Sequence, residues 1–227
     1  MWLHQRHLQP LAPDLPGHGD APAPDDPAAY SEAAFARFAL GVLDARQIKR
    51  VFLVGHSMGG AIALQIAIEH PQRVAGLLLT NTGGGSDDPA TARAAARETA
   101  EDLLTNGMKH FVPAMLEGSL FSQYARRSPR ARRHMEMLLR RNPPHGLALV
   151  QRGIHAVRPP IQERNLEAVR APTTIVVGGL DTGCLNPSRL MAQRIRGARY
   201  FEVPGAGHMT PLEAPRRFNA ILDDALR

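Results

Sequence analysis

The feature that most constrains this chain is a serine set among glycines where two apolar segments meet. Val51-Phe52-Leu53-Val54 is a run of large apolar residues that stops at Gly55. Gly55-His56-Ser57-Met58-Gly59 follows, and Gly59-Gly60-Ala61 opens a small-residue, aliphatic helix over residues 61–68 that ends before Pro71. A serine at a sharp strand-to-helix turn adopts strained backbone angles, so glycines are needed close on either side. Such a turn lifts the hydroxyl above the C-terminal edge of a sheet. The helix N-terminus beneath it favours developing negative charge. The five-residue pattern alone is weak evidence, and a structural Gly-rich turn is the bland alternative. The strand before it and the helix after it make Ser57 a candidate nucleophile.

The rest of the chain alternates in the same way. Residues 8–13 read as a short strand running into Asp14-Leu15-Pro16-Gly17-His18-Gly19-Asp20, a turn-rich loop, and residues 21–27 as a linker. Ser31 looks like a helix N-cap, with Phe35, Phe38, Ala39 and Val42 at helical spacing behind it. Residues 74–80 form the next apolar strand, closed by Gly83-Gly84-Gly85. Strand-like runs then stop. Helical stretches follow over residues 90–104, 108–116, 129–140 and 146–157. Strands resume over residues 173–177 and 198–203, and a last helix covers residues 215–226. The pattern predicts an α/β fold, a mostly parallel sheet with helices on both faces, interrupted by a helical lid. Residues 1–85 would be the first part of the core, 86–165 the lid and 166–227 the second part.

At 227 residues the chain is long enough for one sizeable core. Its net charge of +6 comes from dispersed arginines. The densest run (Arg126, Arg127, Arg130, Arg132, Arg133, Arg140, Arg141) alternates with Met135, Met137, Leu138 and Leu139, as the solvated side of an amphipathic helix would. Nothing here resembles a nucleic-acid motif, and no segment approaches the length of a membrane span. The single cysteine, Cys184, excludes an intrachain disulfide. Residues 1–7 lack the apolar run of a signal peptide, so a cytoplasmic location is expected. His, Cys and carboxylates do not cluster at metal-ligand spacings, and no phosphate-cradling loop occurs, so no metal or cofactor is expected.

A serine hydroxyl needs a base to take its proton and a third group to orient that base. Ile175-Val176-Val177 ends in Gly178-Gly179-Leu180-Asp181, which puts Asp181 just beyond a strand, where catalytic groups of open α/β sheets collect. Asp181 could instead form a turn or cap a helix. Asp87 and Asp88 are rival acids that read better as a helix N-cap before Pro89. Val203-Pro204-Gly205-Ala206-Gly207-His208 follows the final strand and presents one histidine. His18 and His56 read as structural or pocket-lining, with His56 flanking the nucleophile.

The order Ser57, Asp181, His208 is that of the α/β-hydrolase fold. The chain resembles that superfamily, in the lid-bearing group of carboxylesterases, enol-lactonases and C–C bond hydrolases. The resemblance rests on Ala12-Pro13-Asp14-Leu15-Pro16-Gly17-His18-Gly19, Val54-Gly55-His56-Ser57-Met58-Gly59-Gly60, Gly178-Gly179-Leu180-Asp181, and Pro204-Gly205-Ala206-Gly207-His208-Met209 with Glu213 and Pro215. Asn81-Thr82 is similar to the enol-lactonases of that group. Pro187 lies further past Asp181 than usual in the family, which implies a longer loop after the acid.

The resemblance also implies strands and a His-Gly loop ahead of residue 2, where residues 2–8 match only the helix that follows them. One backbone donor to the oxyanion would come from Met58 and the other from that loop. The chain thus reads as N-terminally shortened, by an internal start or as a gene fragment, and is expected to be weakly stable or weakly active. The resemblance implies a small ester or lactone substrate, with Arg152 or Arg158 able to meet a substrate carboxylate. A C–C bond hydrolase of ring-cleavage products, a cofactor-free haloperoxidase-like activity and a non-catalytic binding protein are the alternatives.

Overall fold

The computed structural model describes residues 8–83 and 88–227. Among the described residues, four parallel strands form one sheet in the order β1 (Val51–His56), β2 (Val74–Thr80), β3 (Thr173–Gly178) and β4 (Arg199–Val203). Helix α1 (Glu32–Ala45) precedes β1 and α2 (Met58–Glu69) joins β1 to β2. Between β2 and β3 lie α3 (Pro89–Thr105), α4 (Gly107–Glu117), α5 (Ser122–Ala125), α6 (Pro129–Arg140) and α7 (Pro144–Val150). Helix α8 (Thr182–Arg194) joins β3 to β4, and α9 (Thr210–Glu213) and α10 (Pro215–Ala225) follow.

The alternation of side chains along β2 explains both layers. Leu77 and Leu79 point into a core shared with Phe35 and Leu40 of α1, Ile62 and Ile66 of α2, and Met191 of α8. Leu78 points the other way, with Val176 of β3, into a core closed by Phe218, Ile221 and Leu222 of α10. Both faces are covered, which is why β2 and β3 read as unbroken apolar runs rather than alternating ones. Strand β1 lies at one edge of the described sheet, and its Val54 is half exposed.

The helices from α3 to α7 have a core of their own, built on Leu103, Phe111, Val112, Leu116, Met135 and Leu147. Met209, from the loop after β4, and Leu212 of α9 pack against it. Asp88 caps α3 by accepting from the amides of Ala90 and Thr91, and Ser31 caps α1 by accepting from Ala34. Both agree with the sequence reading.

Several expectations need correction. Residues 8–13 are not a strand but largely exposed backbone that pairs with no strand among the described residues. Pro10 and Pro13 have no amide to donate, and no strand lies beside them among the described residues. The helix expected over 146–157 ends as α7 at Val150 and continues as a π-helical turn over Gln151–His155. On α6, Met135 is buried, but Met137 and Leu138 face solvent. The loop after Asp181 is not lengthened: α8 starts at Thr182 and carries Pro187 inside it. The helix expected over residues 2–8 falls almost wholly outside the described residues, as do Gly84, Gly85 and Asp87.

Candidate active site

Parallel strands end at one edge of a sheet, about 4.8 Å apart. Here four adjacent strands each deliver a polar residue to that edge. Ser57 follows β1, Asn81 follows β2, Asp181 lies just past β3, and His208 lies in the loop after β4.

Ser57 has φ 51° and ψ −117°, a left-handed conformation that a serine holds only when its surroundings enforce it. The enforcement is visible. A Cβ on Gly55 would sit 2.5 Å from the Gly59 carbonyl oxygen and from Gly60 Cα, and one on Gly60 would sit 2.7 Å from Thr82 Cβ. Gly59, the second glycine of the pattern, faces open space. The tight packing therefore needs Gly55 and Gly60 rather than Gly59. Thr82 also donates its hydroxyl to the Ser57 carbonyl at 2.8 Å. At the start of α2, the Met58 amide makes no hydrogen bond among the described residues.

Ser57 Oγ lies 2.9 Å from His208 Nε2, and His208 Nδ1 lies 2.8 Å from Asp181 Oδ2. A carboxylate only accepts, so Nδ1 carries the imidazole proton and Nε2 is free to accept from the serine hydroxyl. Asp181 occupies the N-cap position of α8, yet its side chain makes no cap hydrogen bond. Its Oδ2 instead receives His208 and, at 2.8 Å, the side-chain amide of Asn81. Burial opposes ionisation of this carboxyl, but hydrogen bonds from His208 and Asn81 and the adjacent Cys184 thiol outweigh it and hold its pKa below the usual value.

The loop carrying His208 is clamped from several sides. The buried Glu213 carboxylate accepts from the amides of Gly207 (2.8 Å) and Met209 (3.1 Å), on either side of His208. Asn81 and Thr210 both donate to the Gly207 carbonyl. His56 donates Nε2–H to the His208 carbonyl at 2.8 Å. Burial, reinforced by the neighbouring His208, lowers the His56 pKa to about 4, so it is a neutral donor at pH 7. His56 thus holds the backbone of the loop. His18 bonds the Pro16 carbonyl and lies edge-on to Phe35.

Sequence reasoning missed Asn81 as a partner of Asp181. Its signal was a polar Asn-Thr pair ending an otherwise apolar strand. It also missed a cluster. Cys184 stands one turn into α8, and the ligand atoms of Asp181, Cys184 and His208 all lie within 4.8 Å of one another. Linear spacing suggested no such group. Burial and the Asp181 charge push the Cys184 thiol pKa far up, so the sulfur is protonated. Arg152 is paired with Glu101 at the surface. Arg158 is mostly buried and gives Nε to Glu32 at 2.9 Å. It also lines a cavity of about 230 Å³ with His155 and Pro89. Among the described residues, no helix is long and apolar enough to cross a membrane.

The profile of the alpha/beta hydrolase family matches residues 2–221. The chain belongs to the alpha/beta hydrolase family. It is a hydrolase of that class, and its relatives differ in reaction. It is 28% identical over 216 residues to a Bacillus subtilis protein provisionally named 2-succinyl-6-hydroxy-2,4-cyclohexadiene-1-carboxylate synthase, covering 94% of this chain and 79% of that one. It is 31% identical to a Klebsiella pneumoniae protein provisionally named carbamate hydrolase RutD, covering 99% and 85%. The solved enol-lactonase from Burkholderia xenovorans LB400 superposes with a TM-score of 0.82 at 26% identity, covering 94% and 78%.

Proposed function

We propose that this alpha/beta hydrolase is a serine hydrolase of small carboxylic esters or lactones. The observation that carries the reading is the unbroken relay from Ser57 Oγ through His208 to Asp181, at 2.9 and 2.8 Å. In this reading His208 Nε2 takes the Ser57 proton as Oγ attacks the carbonyl carbon. Asp181 keeps the imidazole oriented and stabilises its charged form. The Met58 amide, unpaired among the described residues at the N-terminus of α2, meets the oxyanion of the tetrahedral intermediate. His208 then protonates the leaving oxygen. A water activated by the same imidazole releases the acid and restores Ser57. Similarity to an enol-lactonase and to a protein named as a carbamate hydrolase supports attack of Ser57 on an acyl carbon.

The helices α3–α7 act as a lid in this scheme. Support comes from their separate core and from its packing onto Met209 and Leu212, beside His208. Arg127, just after α5, adds an ion pair to Glu213 at 3.6 Å. A lid excludes water from the acyl-enzyme step and selects substrate shape.

A panel of p-nitrophenyl esters and lactones tests the reading. Hydrolysis that falls at least about 10³-fold in Ser57→Ala is expected. Turnover of none of them by protein whose Ser57 is reactive would move the reading to C–C bond hydrolysis.

A further inference from the structure

The triad carries a neighbour that its chemistry does not use. Cys184 is the chain's single cysteine, and it is buried beside the acid. Its sulfur, an Asp181 carboxylate oxygen and a His208 ring nitrogen form a three-donor group with all separations under 4.8 Å. In a tetrahedral Zn²⁺ site, bond lengths of about 2.0–2.3 Å put donor atoms about 3.3–3.6 Å apart. The His208 Nδ1–Asp181 distance of 2.8 Å would open only slightly to reach that spacing. Thiolate, imidazole and carboxylate are the donor set that suits Zn²⁺ and its thiophilic analogues.

We propose that Asp181, Cys184 and His208 form a site for a thiophilic divalent cation, one that switches off the nucleophile when filled. This rests on the reading of Ser57 and His208 as nucleophile and base. Binding replaces the thiol proton, which leaves to solvent, and forms metal–sulfur, metal–oxygen and metal–Nδ1 bonds. The Nδ1 proton moves to Nε2, so the imidazole stays neutral. The complex of a dication with one carboxylate and one thiolate carries no net charge, which suits a buried pocket. With Nε2 protonated, His208 has no lone pair facing Ser57 Oγ and cannot take its proton. The three ligands leave a fourth position open for water.

The test is direct because one thiol exists. The intact chain is titrated with Cd²⁺ or Co²⁺ and the thiolate-to-metal charge-transfer absorption is followed. One metal per chain is expected, with no band in Cys184→Ser. At least about tenfold weaker binding is expected in both His208→Ala and Asp181→Asn, since even outer-shell losses cost about 10–100-fold in metal affinity. Fluorophosphonate labelling of Ser57 should slow at saturating metal and recover with EDTA. A missing band in the unmodified chain, an affinity unchanged in both variants, or undiminished labelling at saturation would overturn the proposal. A Ser57 that does not label even without metal would count against the hydrolase reading, while the band and its variants still decide the metal site.

Discussion

Asn81 holds Asp181 by the same oxygen that His208 uses: both donate to Oδ2, each at 2.8 Å. Asn81 has φ 48°, is fully buried, and also donates to the Gly207 carbonyl beside His208. The end of β2 thereby ties Asp181 to the loop that carries His208.

Asn81→Ala is expected to cost about 1.5–3 kcal/mol at pH 7, as a buried bond to a carboxylate does. The folded pKa of Asp181 lies below its unfolded value, so the stability it contributes is present above the unfolded value, about 3.9. That stability fades as pH falls through the folded value. Denaturation at pH 7 and at pH 3 should therefore show the deficit shrinking in acid. A deficit of unchanged size at pH 3 would contradict the assignment.

His56 acts in the opposite sense to a salt-bridged histidine. Its pKa is lowered from 6.5 to about 4, so the unfolded chain binds a proton that the folded chain refuses. Its contribution is complete above pH 6.5 and is lost as pH falls toward 4. Stability should decline with acidification across that window, and His56→Gln should flatten the slope. A parallel slope in the variant would place the effect elsewhere.

Glu213 accepts from the amides on both sides of His208. Glu213→Gln keeps one accepting oxygen and replaces the other with a donor that faces an amide. The variant is expected to lower kcat by about 10- to 100-fold while changing KM little, the signature of a misplaced base. Steady-state kinetics on a p-nitrophenyl ester measure the split, and a change confined to KM would assign Glu213 to substrate binding.

Glu32 is shared by two buried guanidiniums, Arg158 at 2.9 Å and Arg164 at 2.5 Å. Glu32→Gln leaves both cations facing a neutral amide and should cost about 3–5 kcal/mol in urea denaturation. Glu101→Gln, at the surface pair with Arg152, should leave the midpoint nearly unchanged.

What the sequence made legible follows from local chemistry. Ser57, Asp181 and His208 each stand at or just past a strand end in chain order, and a parallel sheet converts that order into adjacency. The caps at Ser31 and Asp88 were legible for the same reason, because a cap depends on the next three residues. Contacts across strands were not. Asn81 meets Asp181 and Cys184 meets His208 only because β2, β3 and β4 lie side by side. No spacing along the chain encodes the distances between them. Pro187 misled because a proline in the second turn of α8 removes only one helical bond, which the helix tolerates. Residues 8–13 misled because an extended apolar run becomes a strand only where a partner lies beside it.

The most direct measurement of the central claim is mass spectrometry of the chain after reaction with a fluorophosphonate at neutral pH. One adduct per chain, on the peptide containing Ser57, is expected, absent in Ser57→Ala and slowed by at least about 10³-fold in His208→Ala. An adduct elsewhere, or a rate at Ser57 that does not depend on His208, would contradict the assignment of Ser57 as the activated nucleophile.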